Sequence, residues 1–283
     1  MKKLVKLISF FLIILLLLSG CSSTSPSASS LLSLQKDNLI VHYIDVGQGD
    51  CILVQINGKN LLIDSGTGES KNQVVTYLKA QNIKKLDYVV ATHPHEDHIG
   101  GMSAVIKNFS IGSFYAPKKL ANTKVFEDMV AALKDKKIIT AKAGIKLDLG
   151  ENTTCEMLAP NGSNYEDINN YSAVIKLTYK TNKFLFMGDA EKISEDEILN
   201  SGADISCDVL KVGHHGSSSS SSKNFLDKAS PKMAIISCGK NNSYGHPHKE
   251  TLTELKKHNC TIYRTDLLGT IVLVSNGTTI TKQ

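Results

Sequence analysis

From residue 39 onward, short apolar runs alternate with stretches of helical period. Residues 39–44, 51–56 and 61–63 are rich in Val, Ile and Leu and are separated by Gly47, Gly49 and Gly58, which predicts three strands joined by turns. Residues 73–78 predict a helix and residues 86–91 a buried strand, while Val125, Met129 and Leu133 recur at helical spacing on one face. A second series follows, with strands predicted at 154–158, 173–179, 184–187, 209–212, 233–237, 261–263 and 270–274. Helices are predicted near 193–199 and from about 247 to 257, where Pro247 suits a first helical turn. No low-complexity linker interrupts this region, so residues 38–283 read as one α/β domain. Two strand-rich halves, each followed by helices, predict two sheets packed face to face with helices outside.

The first twenty residues have a different pattern: Lys2, Lys3 and Lys6 precede an apolar stretch at 7–18 and then Ser19-Gly20-Cys21. A basic start, a short apolar run and small residues are expected of an export signal, and the run is too short to span a bilayer comfortably. Leu18-Ser19-Gly20-Cys21 resembles a bacterial lipobox. That resemblance implies a signal peptide at 1–20, lipidation of Cys21 and an extracytoplasmic protein held to the membrane by its lipid. The Ser-rich residues 21–37 would then be a flexible tether.

Formal charge is +5, but the three signal lysines account for much of it, leaving the mature chain near +2 and without a general basic signature. Arg264 is the single arginine, so bidentate guanidinium clamps on phosphate are almost excluded. Lysines, metal ions and main-chain N–H groups would have to hold an anionic substrate. Beyond Cys21 there are five cysteines without C-x-x-C spacing, several in apolar runs, so buried thiols are expected rather than a disulfide framework.

The chemistry concentrates after the strand at 86–91. Three imidazoles and two carboxylates fall within six residues, at His93, His95, Glu96, Asp97 and His98. So many ionisable groups at a strand end are costly to bury without a partner, and imidazole nitrogen with carboxylate oxygen is the ligand set of zinc and similar divalent ions. Spacing divides them: His93 and His95 can serve one ion, and Asp97 and His98, turning onto the next helix, a second. Elsewhere, Asp189 ends a strand and reads either as a bridging carboxylate or as a helix cap, and His214 also follows a strand directly. His246 and His248 flank Pro247 and can pass a proton to a leaving oxygen or hold phosphate, or be ordinary exposed histidines. Serines 217–222 can supply hydroxyls and N–H groups, or form a plain loop. Asp45 and Asp50, with Gly47, Gln48 and Gly49, fit a turn beneath the site. No Gly-x-Ser-x-Gly elbow supports a serine nucleophile.

The run His93-Pro94-His95-Glu96-Asp97-His98 resembles the His-x-His-x-Asp-His motif of the metallo-β-lactamase superfamily. Asp45-Val46-Gly47-Gln48-Gly49-Asp50, Met187-Gly188-Asp189, Gly213-His214-His215-Gly216-Ser217 and Tyr244-Gly245-His246-Pro247-His248 narrow the likeness to the hydrolase domain of ComEC-type competence DNA-import proteins and their stand-alone relatives. The resemblance implies an αββα sandwich and two divalent ions, with zinc first and manganese second. It implies Asp189 as the bridge, His214 or alternatively His215 as the ligand closing the second ion's set, and Asp97 and His246 in the catalytic step. Asp64 would support the histidine loop, with Asp45, Asp50, Asn170, Ser172, His215, Ser217 and His248 supporting the ligands or touching substrate. Many superfamily members supply a third histidine to the first ion. Here Asn169-Asn170-Tyr171-Ser172 occupies that region. The implied activity is phosphodiester cleavage, on DNA or a related polymer, with a competence channel as a partner. The alternatives are a phosphoesterase acting on wall phosphorylcholine or teichoic-acid-type substrates and a DNA-holding module without catalysis.

Overall fold

The computed structural model describes residues 37–283. The expected signal, Cys21 and nearly all of the tether lie outside the described residues. The elements run β1 (Leu39–Tyr43), β2 (Ile52–Ile56), β3 (Lys59–Ile63), α1 (Lys71–Ala80), β4 (Lys85–Val90), α2 (Glu96–Ile99), α3 (Met102–Asn108), β5 (Ser110–Ala116), α4 (Lys124–Leu133) and β6 (Ile138–Thr140). Next come β7 (Thr153–Met157), a 3₁₀ turn at Ile168–Tyr171, β8 (Ile175–Tyr179), β9 (Asn182–Phe186), α5 (Lys192–Asn200) and β10 (Val209–Lys211). A second 3₁₀ turn at Gly213–Gly216 leads to α6 (Lys223–Ala229), β11 (Met233–Ile236), α7 (Lys249–Lys257), β12 (Thr261–Arg264), α8 (Thr265–Leu268), β13 (Ile271–Ser275) and β14 (Ile280–Lys282).

Two sheets form the centre, one ordered β14-β13-β1-β2-β3-β4-β5-β6 and the other β12-β11-β10-β9-β8-β7. Side chains alternate along each strand, so both faces of a covered sheet must be apolar, and that is why β1, β2 and β13 inside the first sheet read as near-continuous hydrophobic runs. Leu39, Val41 and Tyr43 of β1 face Leu177, Phe184 and Phe186 of the second sheet across the central core. Leu53, Leu62 and Val89 instead pack under helices with Val74, Leu78 and Met102. Leu185, Leu210 and Ala234 do the same on the other side with Ile198, Phe225 and Leu255. The αββα sandwich expected from the sequence is the fold found.

Three departures concern the frame. The C-terminal β13 leaves the second half and pairs antiparallel with β1, Leu39 opposite Ser275, which covers an edge that β1 would otherwise expose. Helix α7 begins at Lys249 with His248 flanking it, two residues beyond the start proposed at Pro247. Strands β5, β6 and β14, with helices α3, α6 and α8, were not expected. Four cysteines are buried, Cys260 is partly so, and none is in a disulfide among the described residues. No helix of the described residues is long and apolar enough to cross a membrane.

Candidate metal centre

The centre lies where β3 and β4, parallel neighbours, reach their C-terminal ends. Asp64, wholly buried, follows β3 in the left-handed region with φ of 57°. Its Oδ1 accepts the Thr92 N–H at 2.8 Å, and its Oδ2 accepts the Thr92 hydroxyl at 2.7 Å and faces Nδ1 of His98 at 2.8 Å. A carboxylate on Nδ1 fixes that nitrogen as the N–H, so the Nε2 lone pair of His98 points inward. His215 is oriented the same way, with Nδ1 2.9 Å from the Ser237 carbonyl. His93 has Nδ1 3.1 Å from the Thr92 hydroxyl and 3.3 Å from that of Ser172, which also accepts the Asp189 N–H at 3.0 Å. The turn from β1 to β2 closes beneath: Asp50 N–H donates to the Asp97 carbonyl at 3.1 Å. Gly49 makes that approach, since a Cβ there would sit 2.2 Å from the same carbonyl oxygen.

Two sets of inward-facing atoms result. In one, Nε2 of His98 and Nε2 of His215 are 3.3 Å apart, and Oδ2 of Asp189 lies 3.2 and 3.3 Å from them. Asp97 Oδ2 lies 3.2 Å from the same His215 nitrogen. In the other, Nε2 of His93 and Nδ1 of His95 are 3.0 Å apart, and Asp189 Oδ2 is 3.8 Å from His93. Asp189 is therefore common to both, and its buried Oδ1 has no hydrogen-bond partner. Two tethered imidazole Nε2 atoms facing each other beside an unsatisfied carboxylate oxygen call for positive charge between them, which protons supply in the bare chain and a divalent cation can supply in their place. Asp97, His98, Asp189 and His215 have ligand atoms all within 4.8 Å of one another, as a single ion requires.

The protonation equilibria follow the same crowding. Burial would depress His98, yet Asp189, Asp97 and Asp64 together hold its imidazole well above its ordinary value. His215 is opposed by burial too, but Asp189 and Asp97 raise it to about 10. Asp189 and Asp97 stay well below the usual carboxylate range because the imidazoles outweigh their burial. His93 moves the other way, pushed well below its ordinary value by burial and by His98.

The expectation for the second ion's closing ligand needs correction. His214, taken first as the ligand closing the second set, does not sit in it: its Nε2 is 3.9 Å from Asp189, and its Nδ1 turns to Ser219 Oγ at 3.0 Å and Glu191 at 3.2 Å. His215, held as the alternative, occupies the position. Both residues adopt left-handed backbone, φ 46° and 53°, and that twist turns the second ring inward. Asn170 likewise points away, holding Glu191 and the Ser194 N–H, and Asn169 lines the cleft, 3.5 Å from His214.

The Asp45 carboxylate caps its own turn through the Gly47 N–H, while its main chain is tied to the Thr270 hydroxyl and the Gln73 amide, away from the centre. Asp50 sits behind His215, 3.6 Å from its Nδ1, and pairs with buried Lys211 at 2.5 Å. The serine run is structural. Ser217 Oγ meets Ser219 Oγ at 3.0 Å, and the N–H groups of Ser221 and Ser222 donate to buried Glu195, so neither is free for phosphate. His248 is tied to the Ser218 N–H at 3.0 Å and lies outside the cleft lining.

The cleft above the centre has a volume of about 440 Å³ and is bordered by Gln48, Thr67, Tyr244 and His246. Gln48 Oε1 accepts the Gly239 N–H at 3.0 Å, which turns its amide N–H toward His246 Nδ1 at 3.4 Å and leaves Nε2 as that ring's N–H. Burial and the neighbouring imidazoles of His215, His214 and His248 depress His246 to about 4. It is a neutral hydrogen-bond donor near pH 7 rather than a proton-loaded acid. Thr92, Asn169, Lys211 and Tyr244 were not singled out from the sequence as site residues, and Gln48 was read only as part of the turn beneath the site. A lysine inside the apolar run Val209-Leu210-Lys211-Val212 was the readable signal among them.

A two-sheet frame with this histidine loop at its strand ends defines a metal-dependent hydrolase fold. The family model of the Metallo-beta-lactamase superfamily matches residues 44–240, and the protein belongs to that superfamily. The chain is 32% identical over 251 residues to ComE operon protein 3 of Bacillus subtilis (strain 168), covering 82% of this chain and 32% of that protein. It is 30% identical over 258 residues to Competence protein ComA of Neisseria gonorrhoeae, covering 90% of this chain and 34% of the other. It thus spans about a third of the length of these curated relatives. The metallo-beta-lactamase fold protein YhfI of Bacillus subtilis shares the fold with a TM-score of 0.57 at 15% identity, over 84% of this chain and 100% of that one.

Proposed function

We propose that the chain hydrolyses phosphodiester bonds, in DNA or a related polymer, and does so outside the cytoplasm, anchored through Cys21. The observation that carries the hydrolytic part is the pair of donor sets sharing Asp189 at the floor of an open cleft. The likeness to two competence proteins over most of this chain supports DNA as the polymer. Asp97, His98, Asp189 and His215 would hold one divalent ion, and His93, His95 and Asp189 the other. Such ions, zinc or manganese, supply Lewis acidity that lowers the pKa of water and offsets phosphoryl charge.

The chain's own groups set the rest. The cleft is lined by Glu96, Asp97 and Asp189 and by no lysine or arginine, and the imidazolium charge of His98 and His215 is spent on Asp97 and Asp189, so the bare protein has no free cation to attract an anion there. Arg264 is committed to Asp266 at 2.9 and 2.6 Å and cannot substitute. Substrate binding therefore depends on the donor sets being filled. His246, with its N–H fixed at Nε2 by Gln48, is placed to donate a hydrogen bond to a substrate oxygen, and Asn169 offers an amide from the same cleft lining.

The test is steady-state cleavage of single-stranded DNA, bis-p-nitrophenyl phosphate, a phosphorylcholine ester and nitrocefin by metal-reconstituted protein, with chelated protein beside it. Metal-dependent cleavage of the first two is expected. Faster turnover of the phosphorylcholine ester or of nitrocefin overturns the substrate class. Anchoring is checked separately by lipid labelling of the wild type and Cys21→Ser, which should lose the label.

A further inference from the structure

Strands β4, β5 and β6 are parallel neighbours, and each ends on the same edge of the first sheet. β4 leads into His93. β5 ends at Ala116, opposite Thr140 of β6, and two residues past each of these come Lys118 and Lys142, both exposed. They border a groove of about 660 Å³ whose other wall is the loop with Asn161, Ser163 and Asn164. Two parallel strand spacings separate β4 from β6, roughly 10 Å, so the groove begins within a few nucleotide lengths of the metal centre.

Its chemistry is the reverse of the cleft's. No Asp or Glu lines it, and neither Lys118 nor Lys142 is in an ion pair among the described residues. Lys119, between strand and loop, lies over the Tyr171 ring, 4.9 Å from its centroid. Tyr171 in turn anchors the far wall, its hydroxyl donating to the Ser163 carbonyl at 3.0 Å and accepting the Tyr165 N–H at 3.2 Å. Asn169, two residues earlier on the same 3₁₀ turn, borders the catalytic cleft. One turn thus forms a wall of both hollows. Glu166 and Asp167, the nearest acids in the chain, are outside the lining, with Asp167 accepting the Asn169 N–H at 2.9 Å, and the Glu197 carboxylate behind Gly162 is engaged by the Tyr165 hydroxyl.

We propose that this groove is a binding site for the sugar–phosphate backbone of a single-stranded nucleic acid whose neighbouring segment enters the metal cleft, a role that rests on the phosphodiesterase reading above. Lys118 and Lys142 neutralise successive phosphates, and the Asn164 amide with the Ser163 hydroxyl offers hydrogen bonds to sugar and base edges, while the Asn161 amide, donating to the Leu158 carbonyl at 2.8 Å, shapes the wall. The acidic cleft then cuts what the basic groove holds. The site acts on polymers alone, because a small diester reaches the cleft without touching it.

The experiment compares the full chain with Lys118→Ala/Lys142→Ala and with Lys228→Ala/Lys256→Ala, an equal loss of charge at exposed positions elsewhere. Fluorescence anisotropy of a labelled oligo-dT 20-mer is recorded against salt, alongside cleavage of that oligomer and of bis-p-nitrophenyl phosphate. The groove variant should bind about tenfold more weakly, with the salt slope reduced by roughly 1.4, while the control keeps wild-type binding. Its KM for the oligomer should rise with bis-p-nitrophenyl phosphate turnover unchanged. Equal binding by all three proteins overturns the groove, as does tighter binding of a glycerol-phosphate polymer than of oligo-dT. If the wild type cleaves neither substrate yet binds oligo-dT through these lysines, the groove stands and the phosphodiesterase reading fails.

Discussion

The two donor sets at the centre are built to different standards. The set of Asp97, His98, Asp189 and His215 offers four side chains, and both imidazoles are locked from behind, by Asp64 and by the Ser237 carbonyl. The set of His93 and His95 has two imidazoles and a share of Asp189, and Asn169 and Ser172 occupy the region where a third histidine was sought. Three of the four residues in the first set are buried, whereas His95 is partly open to the cleft. Prepaid orientation and ligand number both favour the first set, so the two affinities should be unequal.

The largest expected effect comes from removing what the sets share. Asp189→Ala should lower occupancy of both and reduce turnover on the order of 10³-fold, read by elemental analysis and steady-state kinetics with circular dichroism as a folding control. Retention of full metal content would dissolve the distinction between the sets. Next, His215→Ala should remove one ion per chain and most activity, while His214→Ala should keep both ions and lose less than about tenfold in rate. Equal metal loss in the two variants would place both histidines at the centre. Asp64→Asn should weaken the four-donor set by roughly 10–100-fold in metal affinity and leave the other set nearly unchanged, measured by competition with a chelating dye.

A smaller effect distinguishes the centre's histidines from a buried one outside it. His42 is wholly buried between Gln55 and Tyr77, and burial lowers it to about 4 from an ordinary 6.5. Below pH 6.5 the unfolded chain takes up a proton that the folded chain refuses, so stability is full above that pH and is lost as the pH falls toward 4. Urea midpoints should show about 1 kcal/mol lost between pH 6.5 and 5.5 beyond what His42→Gln loses. Parallel profiles for both proteins would show that His42 does not carry the penalty.

The same contrast separates what was legible in the sequence from what was not. His93, His95, Asp97 and His98 were readable because five ionisable residues crowd one strand end, and Asp64, Asp189 and Ser172 took their places by motif. His214 and His215 could not be told apart, since adjacent residues differ only in which ring a left-handed backbone turns inward. The same one-residue ambiguity exchanged Asn169 for Asn170. The sandwich was legible in the near-continuous apolar runs of β1, β2 and β13 and in the alternation of Ile175, Leu177 and Tyr179 along β8. The short β6 and Ser110–Ala116, whose apolar residues are interrupted by Gly112 and Ser113, lacked that signal. The return of β13 to β1 and the Lys211–Asp50 pair are long-range contacts that no local window contains.

The measurement closest to the central claim is stepwise metal loading of the apo-protein, followed by native mass spectrometry, for the wild type, His215→Ala and His93→Ala. Two ions per chain are expected, bound in distinguishable steps, with His215→Ala losing the tighter step and His93→Ala the weaker one. A single step in the wild type, or variants that load as it does, would contradict a centre of two unequal donor sets.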